Sequence, residues 1–184
     1  MKIAAVLGSR NPQGQTARAA GALLDGLAAQ GATVERFFLP QMKIERCRQC
    51  DENGWGICRS EGRCVIEDDF AALVAAIRSA DATVFANPVY FGDLSESLRA
   101  FLDRLRRTCR NEDGKKGIEG KRAIGICVAG GGGGGAPNCS ASLEKVLATC
   151  GFDVLDMVPV RRQNLEAKFR VLRLTADALI AQMK

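Results

Sequence analysis

Two hydrophobic periods alternate along the whole chain, and that alternation narrows the possible folds more than any other feature. Short apolar runs of strand type occur at residues 2–8 (KIAAVLG), 33–39 (TVERFFL), 82–88 (ATVFANP), 122–129 (RAIGICVA) and 154–160 (VLDMVPV). Between and after them lie segments of helical period. Residues 16–30 carry Ala20, Leu23, Leu24 and Leu27 on one face. Asp68 or Asp69 is placed to cap a helix with Phe70, Leu73, Val74 and Ile77 inward. Ser95 is placed to cap the next, with Leu98, Phe101, Leu102, Leu105 and Cys109 inward. Leu143, Val146, Leu147 and Cys150 mark another, and Leu165, Phe169, Leu172, Ala176, Leu179 and Met183 stripe the last. Residues 111–120 are a polar connection. Five strands, each followed by a helix, predict an α/β fold: a five-stranded parallel sheet covered on both faces, three-layered and doubly wound. No internal repeat or linker divides the chain, so residues 1–184 are expected to form a single domain. A ligand of such a sheet binds at the carboxyl ends of the strands, near the reversal of strand order. The loops after strands one, three and four are therefore the ones to read.

The loop after strand one is GSRNPQGQT, residues 8–16. It is a small-residue turn entering a helix, where free N–H groups and the helix dipole favour an anion. Ser9 and Thr16 add hydroxyls and Arg10 a positive charge. It is neither a G-x-G-x-x-G fingerprint nor a P-loop, so a single phosphate monoester is its natural guest. An ordinary helix start is the alternative. The loop after strand three, NPVYFGDLSESLRAF, puts Tyr90 and Phe91 at the strand exit beside Gly92. It suits a flat aromatic ligand, or its aromatics simply cover the core. After strand four comes AGGGGGGAPN. Six consecutive glycines are entropically costly to order. Laying bare backbone against a planar ring would justify that cost; a mobile surface loop or a linker would not require it.

The cysteines pose a separate question, in a loop that follows strand two and is expected at the same sheet end as the other three. Residues 47–64, CRQCDENGWGICRSEGRC, hold four of the eight cysteines, Cys47, Cys50, Cys58 and Cys64, and the sole tryptophan, Trp55. The spacing is C-x2-C-x7-C-x5-C. A C-x2-C pair can place two thiolates on one metal or cluster. Four readings stay open: a four-iron, four-sulfur cluster, structural zinc, unligated thiols with Cys47 and Cys50 as a redox pair, or disulfides. Cys109, Cys127 and Cys150 read as small buried apolar residues. Cys139 follows the glycine run, a position open to solvent, and receives no role. The chain has no histidine, which removes the commonest general base, the Cys/His and Ser/His/Asp nucleophilic systems and mixed Cys/His zinc sites. Chemistry here belongs to a cofactor, and no catalytic residue is assigned. The net charge of +5 is spread through helices that also carry acids, so no nucleic acid is expected. No apolar run is long enough for a membrane span and MKIAAVLGSR is no signal peptide, so the expected location is cytoplasmic.

The three loops, in order and across essentially the whole chain, resemble the flavodoxin-like NAD(P)H-dependent FMN reductase family. The most specific stretch is NPVYFGDLSESLRAFLDR. The resemblance implies an oxidoreductase in which Ser9, Arg10, Gln15 and Thr16 hold the FMN phosphate. It implies that Pro88, Val89, Tyr90, Phe91 and Gly92 line the isoalloxazine ring, with Gly130, Gly131 and Gly132 on its other flank. Family members often have Arg where this chain has Asn11, and Asn where it has Gln15. NAD(P)H would be a transient electron donor. The acceptor would be a small molecule such as a quinone, a nitro or azo compound, a metal ion or free flavin. The cysteine loop and the following RCVIEDDF resemble the iron–sulfur flavoprotein branch of that family, which usually has two residues, not seven, between the second and third cysteines. The branch implies an electron carrier fed by a ferredoxin-like protein donor, and a non-enzymatic flavin- or metal-binding module is a third possibility. The family also implies a homodimer or homotetramer, with Trp55 exposed or capping the partner's flavin.

Overall fold

The computed structural model describes residues 1–183. Five strands, β1 (Lys2–Leu7), β2 (Thr33–Phe38), β3 (Ala82–Pro88), β4 (Arg122–Ala129) and β5 (Asp153–Arg161), form one sheet. All pairings are parallel, in the order β2-β1-β3-β4-β5. The helices are α1 (Gln15–Ala29), α2 (Ile57–Ser60), α3 (Phe70–Ser79), α4 (Glu96–Thr108), α5 (Glu112–Lys115), α6 (Ala136–Cys150) and α7 (Leu165–Gln182). Two 3-10 turns, Leu39–Gln41 and Arg162–Asn164, follow β2 and β5. This is the flavodoxin-like order, and its reversal lies between β1 and β3.

The strand period of two divides β1 between two cores. Ile3, Ala5 and Leu7 face α1 and α7, meeting Leu23, Leu24, Leu27, Leu172 and Leu179. Ala4 and Val6 face α3, α4 and α6, meeting Leu73, Ile77, Leu98, Phe101 and Leu147. Each fully buried leucine contributes about 1.5–3 kcal/mol relative to exposure. The central strands β1, β3 and β4 are buried almost end to end, whereas β2 and β5 are half-exposed edges.

The expected strands and long helices are all present, with shifts of a residue at some ends. The connection 111–120 contains α5, and the cysteine segment contains α2; both are four residues long, too short to show a helical period. Met183, expected on the inward stripe of the last helix, lies just past α7 and is exposed. No helix among the described residues is long and apolar enough to cross a membrane.

Candidate functional site

Strand pairing brings the three loops side by side. Leu7 pairs with Ala86, and Pro88 with Val128, so β1, β3 and β4 end together. The Gly8 N–H donates to the Ala86 carbonyl at 2.8 Å and the Val89 N–H to Val128 at 2.9 Å. Side chains complete the join. Buried Asn87 donates from Nδ2 to the Pro88 carbonyl at 2.7 Å and to Cys139 Sγ at 3.3 Å, and its Oδ1 accepts the Ser95 N–H at 3.0 Å. One amide therefore ties the end of β3 to the starts of α4 and α6. A Cβ at Gly8 would lie 2.5 Å from Ser95 Oγ and 3.0 Å from Asn87 Oδ1, so only glycine passes there.

The loop after β1 is a turn folded on Asn11, which accepts the Gln13 N–H through Oδ1 and the Gly14 N–H through its carbonyl. Gly14 precedes α1 with no side-chain cap, and no acidic residue sits in the first turn. The first N–H groups of α1 therefore lack helical partners at the positive end of its dipole. Gln15 opens the helix with a buried Oε1 that has no hydrogen-bond partner. A Cβ on Gly130, in the loop after β4, would sit 3.3 Å from that same oxygen. Thr16 is buried, Ser9 half-buried and Arg10 exposed, with the Arg10 carbonyl accepting from Gln41 Nε2 at 3.3 Å.

The loop after β3 closes as a two-residue turn. Tyr90 and Asp93 exchange both backbone hydrogen bonds, at 3.1 and 3.0 Å, and Phe91 and Gly92 have φ of +52° and +81°. That is the backbone of a type I′ turn, which disfavours a bulky residue at its first position. Phe91 nonetheless occupies it, fully exposed, next to half-exposed Tyr90. The aromatics do not cover the core. Behind them the turn touches the glycine loop: a Cβ on Gly135 would lie 2.5 Å from the Gly92 Cα. A Cβ on Gly131, Gly132 or Gly134 would point into open space, and the Gly132 carbonyl accepts from Gln163 Nε2 at 3.1 Å. All twelve residues expected at the flavin loops thus sit on three adjoining loops or on the element ends that flank them, at the carboxyl edge of the sheet where β1, β3 and β4 end. An open helix N-terminus, an unpartnered amide oxygen and bare backbone fit a ligand bearing a phosphate, hydroxyls and a flat ring, as FMN does.

The cysteine segment starts at that edge but does not stay there. It folds back along the flank of α4, so the expectation that it shares the flavin's sheet end is corrected. Its stem is zipped by Glu45 N–H to Asp68 Oδ2 at 2.8 Å, Lys43 N–H to Asp69 Oδ2 at 2.6 Å and Asp69 N–H to the Lys43 carbonyl at 3.0 Å. Asp69 precedes α3 without capping it; Asp68 Oδ1 accepts the Phe70 N–H instead. Arg104 of α4, 1% exposed, clasps both sides of the stem. It donates to the carbonyls of Glu45 and Ile66 and forks onto Asp68 at 2.6 and 2.9 Å. Burial would lower the Arg104 pKa, but the Asp68 carboxylate and the adjacent Cys64 sulfur outweigh it and raise it.

Cys47, Cys50, Cys58 and Cys64 all line one pocket in this fold-back, which Arg104 and Arg107 also line. The seven-residue arm is a compact turn: Asp51 Oδ1 accepts the N–H groups of Asn53 and Trp55, and Arg107 donates to the Gly54 carbonyl at 2.6 Å. Trp55 is half-buried, with the guanidiniums of Arg107 and Arg59 over its ring at 4.8 and 5.6 Å. The four cysteines share this one pocket, yet no three Cys, Asp or Glu side chains among the described residues converge on a single-ion site. All eight cysteines are free, so the disulfide reading has no bridge in the structure. Cys139, expected at the surface, is fully buried in α6. It faces Cys127, whose pKa is pushed up by that contact and by burial, which keeps it a thiol.

Asn87, Arg104 and Arg107 escaped sequence reasoning, as did the ion pair of Asp68, a residue the sequence offers only as a helix cap. A polar residue in a strand otherwise buried end to end was the one available signal for Asn87.

The family model described as NADPH-dependent FMN reductase matches residues 1–169. An iron-sulfur flavoprotein of Methanocaldococcus jannaschii is 29% identical over 131 residues, 71% of this chain and 65% of that one. An iron-sulfur flavoprotein of Methanosarcina thermophila is 32% identical over 110 residues, 58% of this chain and 55% of that one. The chain thus spans less than two thirds of these relatives. An NAD(P)H:quinone oxidoreductase structure from Methanothermobacter marburgensis superposes with a TM-score of 0.71 at 22% identity, covering 97% of this chain and 96% of that one; at that identity the likeness is one of fold.

Proposed function

The chain belongs to the NADPH-dependent FMN reductase family, and on that premise we propose that it is an FMN-dependent oxidoreductase carrying electrons from NAD(P)H to a small acceptor. The observation that carries this reading is the meeting of three ligand-ready loops: the uncapped α1 N-terminus, the unpartnered Gln15 Oε1 and the open backbone of Gly130–Gly132. Bound FMN supplies hydride acceptance from the nicotinamide and onward electron transfer. The chain supplies the setting. The N–H groups of α1 with Ser9, Arg10 and Thr16 hold the phosphate, and Gln15 Oε1 takes a hydroxyl proton donor. Residues 88–92 and the glycine loop flank the ring, where backbone N–H groups can stabilise negative charge without any histidine. Quenching of FMN fluorescence on titration with the protein, together with NADH or NADPH oxidation in the presence of a quinone, tests it. A protein that neither quenches FMN nor oxidises either nucleotide rejects it.

The cysteine pocket favours a second reading: an electron-transfer flavoprotein in which Cys47, Cys50, Cys58 and Cys64 hold a four-iron, four-sulfur cluster. Four thiols around one shared space, without single-ion convergence, suit a multi-atom group better than zinc, and the two guanidiniums offset the charge of four thiolates. A ferredoxin-like donor would then feed the chain. Iron and acid-labile sulfide in anaerobically purified protein support this reading, and zinc in their place rejects it. The exposed Tyr90 and Phe91 at the flavin edge support a homodimer or homotetramer closing over the ring; sedimentation as a monomer at micromolar concentration would overturn that. Eight free thiols suit a reducing compartment such as the cytoplasm.

A further inference from the structure

Arg104 sits on the helix that runs from the flavin loops to the cysteine pocket, at the pocket's end. It lies nine residues along α4 from the Ser95 cap, about 14 Å at 1.5 Å per residue. Its Nη edge is fully used by Asp68 and the carbonyls of Glu45 and Ile66. The Phe70 ring covers one face of its guanidinium at 4.2 Å. What remains is Nε, buried and without a partner. Arg104 lines the cysteine pocket, beside Cys64. A buried donor left unpaired costs on the order of 1–3 kcal/mol, more on a charged group. It persists at a residue whose other contacts are complete, at the wall of a pocket of four thiols.

We propose that Arg104 sets the reduction potential of the group held by Cys47, Cys50, Cys58 and Cys64, by turning its free Nε–H on the sulfur at Cys64. The inference rests on the cluster reading above and goes beyond it by assigning the residue that tunes the cluster. A hydrogen bond to ligand sulfur stabilises the more negative, reduced form and so raises the potential. Asp68 opposes this, because its carboxylate holds the guanidinium's charge back. Arg104 is thus a tuning residue and Asp68 its counterweight.

The experiment compares the parent protein with D68N and with the double variant R104M/D68L, all purified anaerobically with flavin bound. The double variant removes the ion pair without leaving a buried charge, a replacement that folds generally tolerate. Iron and sulfide are measured first, then the midpoint potential by dye-mediated titration followed by electron paramagnetic resonance. The expected result is a split of opposite sign. R104M/D68L makes reduction about tenfold less favourable, 59 mV for a one-electron couple, and D68N makes it more favourable. Loosening of the loop would move both variants the same way, so two shifts of one sign overturn the inference, as do unchanged midpoints. A parent protein with neither iron nor sulfide overturns the cluster reading and this inference together, before any potential is taken.

Discussion

Phe91 holds an unfavourable backbone conformation that no packing requires, since its side chain touches solvent all round. Left-handed backbone at a bulky residue costs about 1–3 kcal/mol. Phe91→Gly should therefore stabilise the chain by roughly 1 kcal/mol in urea unfolding, while weakening FMN binding several-fold in a fluorescence titration. Opposite effects of one substitution on stability and affinity would show that the strain serves the site. Asn87 is the converse. It is unstrained and central, and Asn87→Ala leaves the Ser95 N–H and the Pro88 carbonyl short of partners, at a cost of about 2–4 kcal/mol. The sequence displays Phe91 plainly as an aromatic at a strand exit, but not its turn conformation. Asn87 looks like the frayed end of an apolar run because its three partners come from residues 88, 95 and 139, which only folding assembles.

Among the elements, the buried central strands and the long amphipathic helices were legible because each repeats its period several times. The four-residue α2 and α5 were not, and neither was the path of the cysteine segment, which depends on a buried arginine two turns into α4. The stem of that segment should be sensitive to acid. Burial would raise the Asp68 pKa, but Arg104 and the N–H groups of Glu45 and Phe70 outweigh it and lower it below the ordinary 3.8. A depressed carboxyl contributes stability that is complete above the unfolded value and is lost as pH falls through the folded one. Protection of the stem amides in hydrogen exchange, Glu45 and Phe70 first, should therefore hold at pH 5 and decline progressively once the pH falls below about 4. A stem whose protection is flat across that range would mean the ion pair is not holding it.

For the molecule as a whole, the strand order places the β1, β3 and β4 loops together, and that order follows from right-handed crossovers and short connections. The meeting of these three loops was thus readable from the pattern of elements before any side chain was located. If FMN binds the folded chain alone, a concentration about a hundredfold above its Kd adds about 2.7 kcal/mol. For a chain of this size that raises Tm by roughly 5–10 °C. A melting curve indifferent to FMN would contradict the site.

The zipped stem at residues 43–45 and 66–69 has an evolutionary consequence. It closes the cysteine segment into a loop against α4, held further along by Arg107 on Gly54 and by Asn111 on Arg59 and Ser60, so what hangs beyond the stem can change length without touching the loops after β1, β3 and β4. A doubling of that span costs only about 0.6 kcal/mol in closure entropy, and the seven residues between Cys50 and Cys58 fold into a turn of their own around Asp51. A chain in which residues 47–64 are exchanged for a short Gly-Ser bridge should still fold and still bind FMN. In evolutionary terms the cysteine pocket is an attachment that can change without rebuilding the sheet.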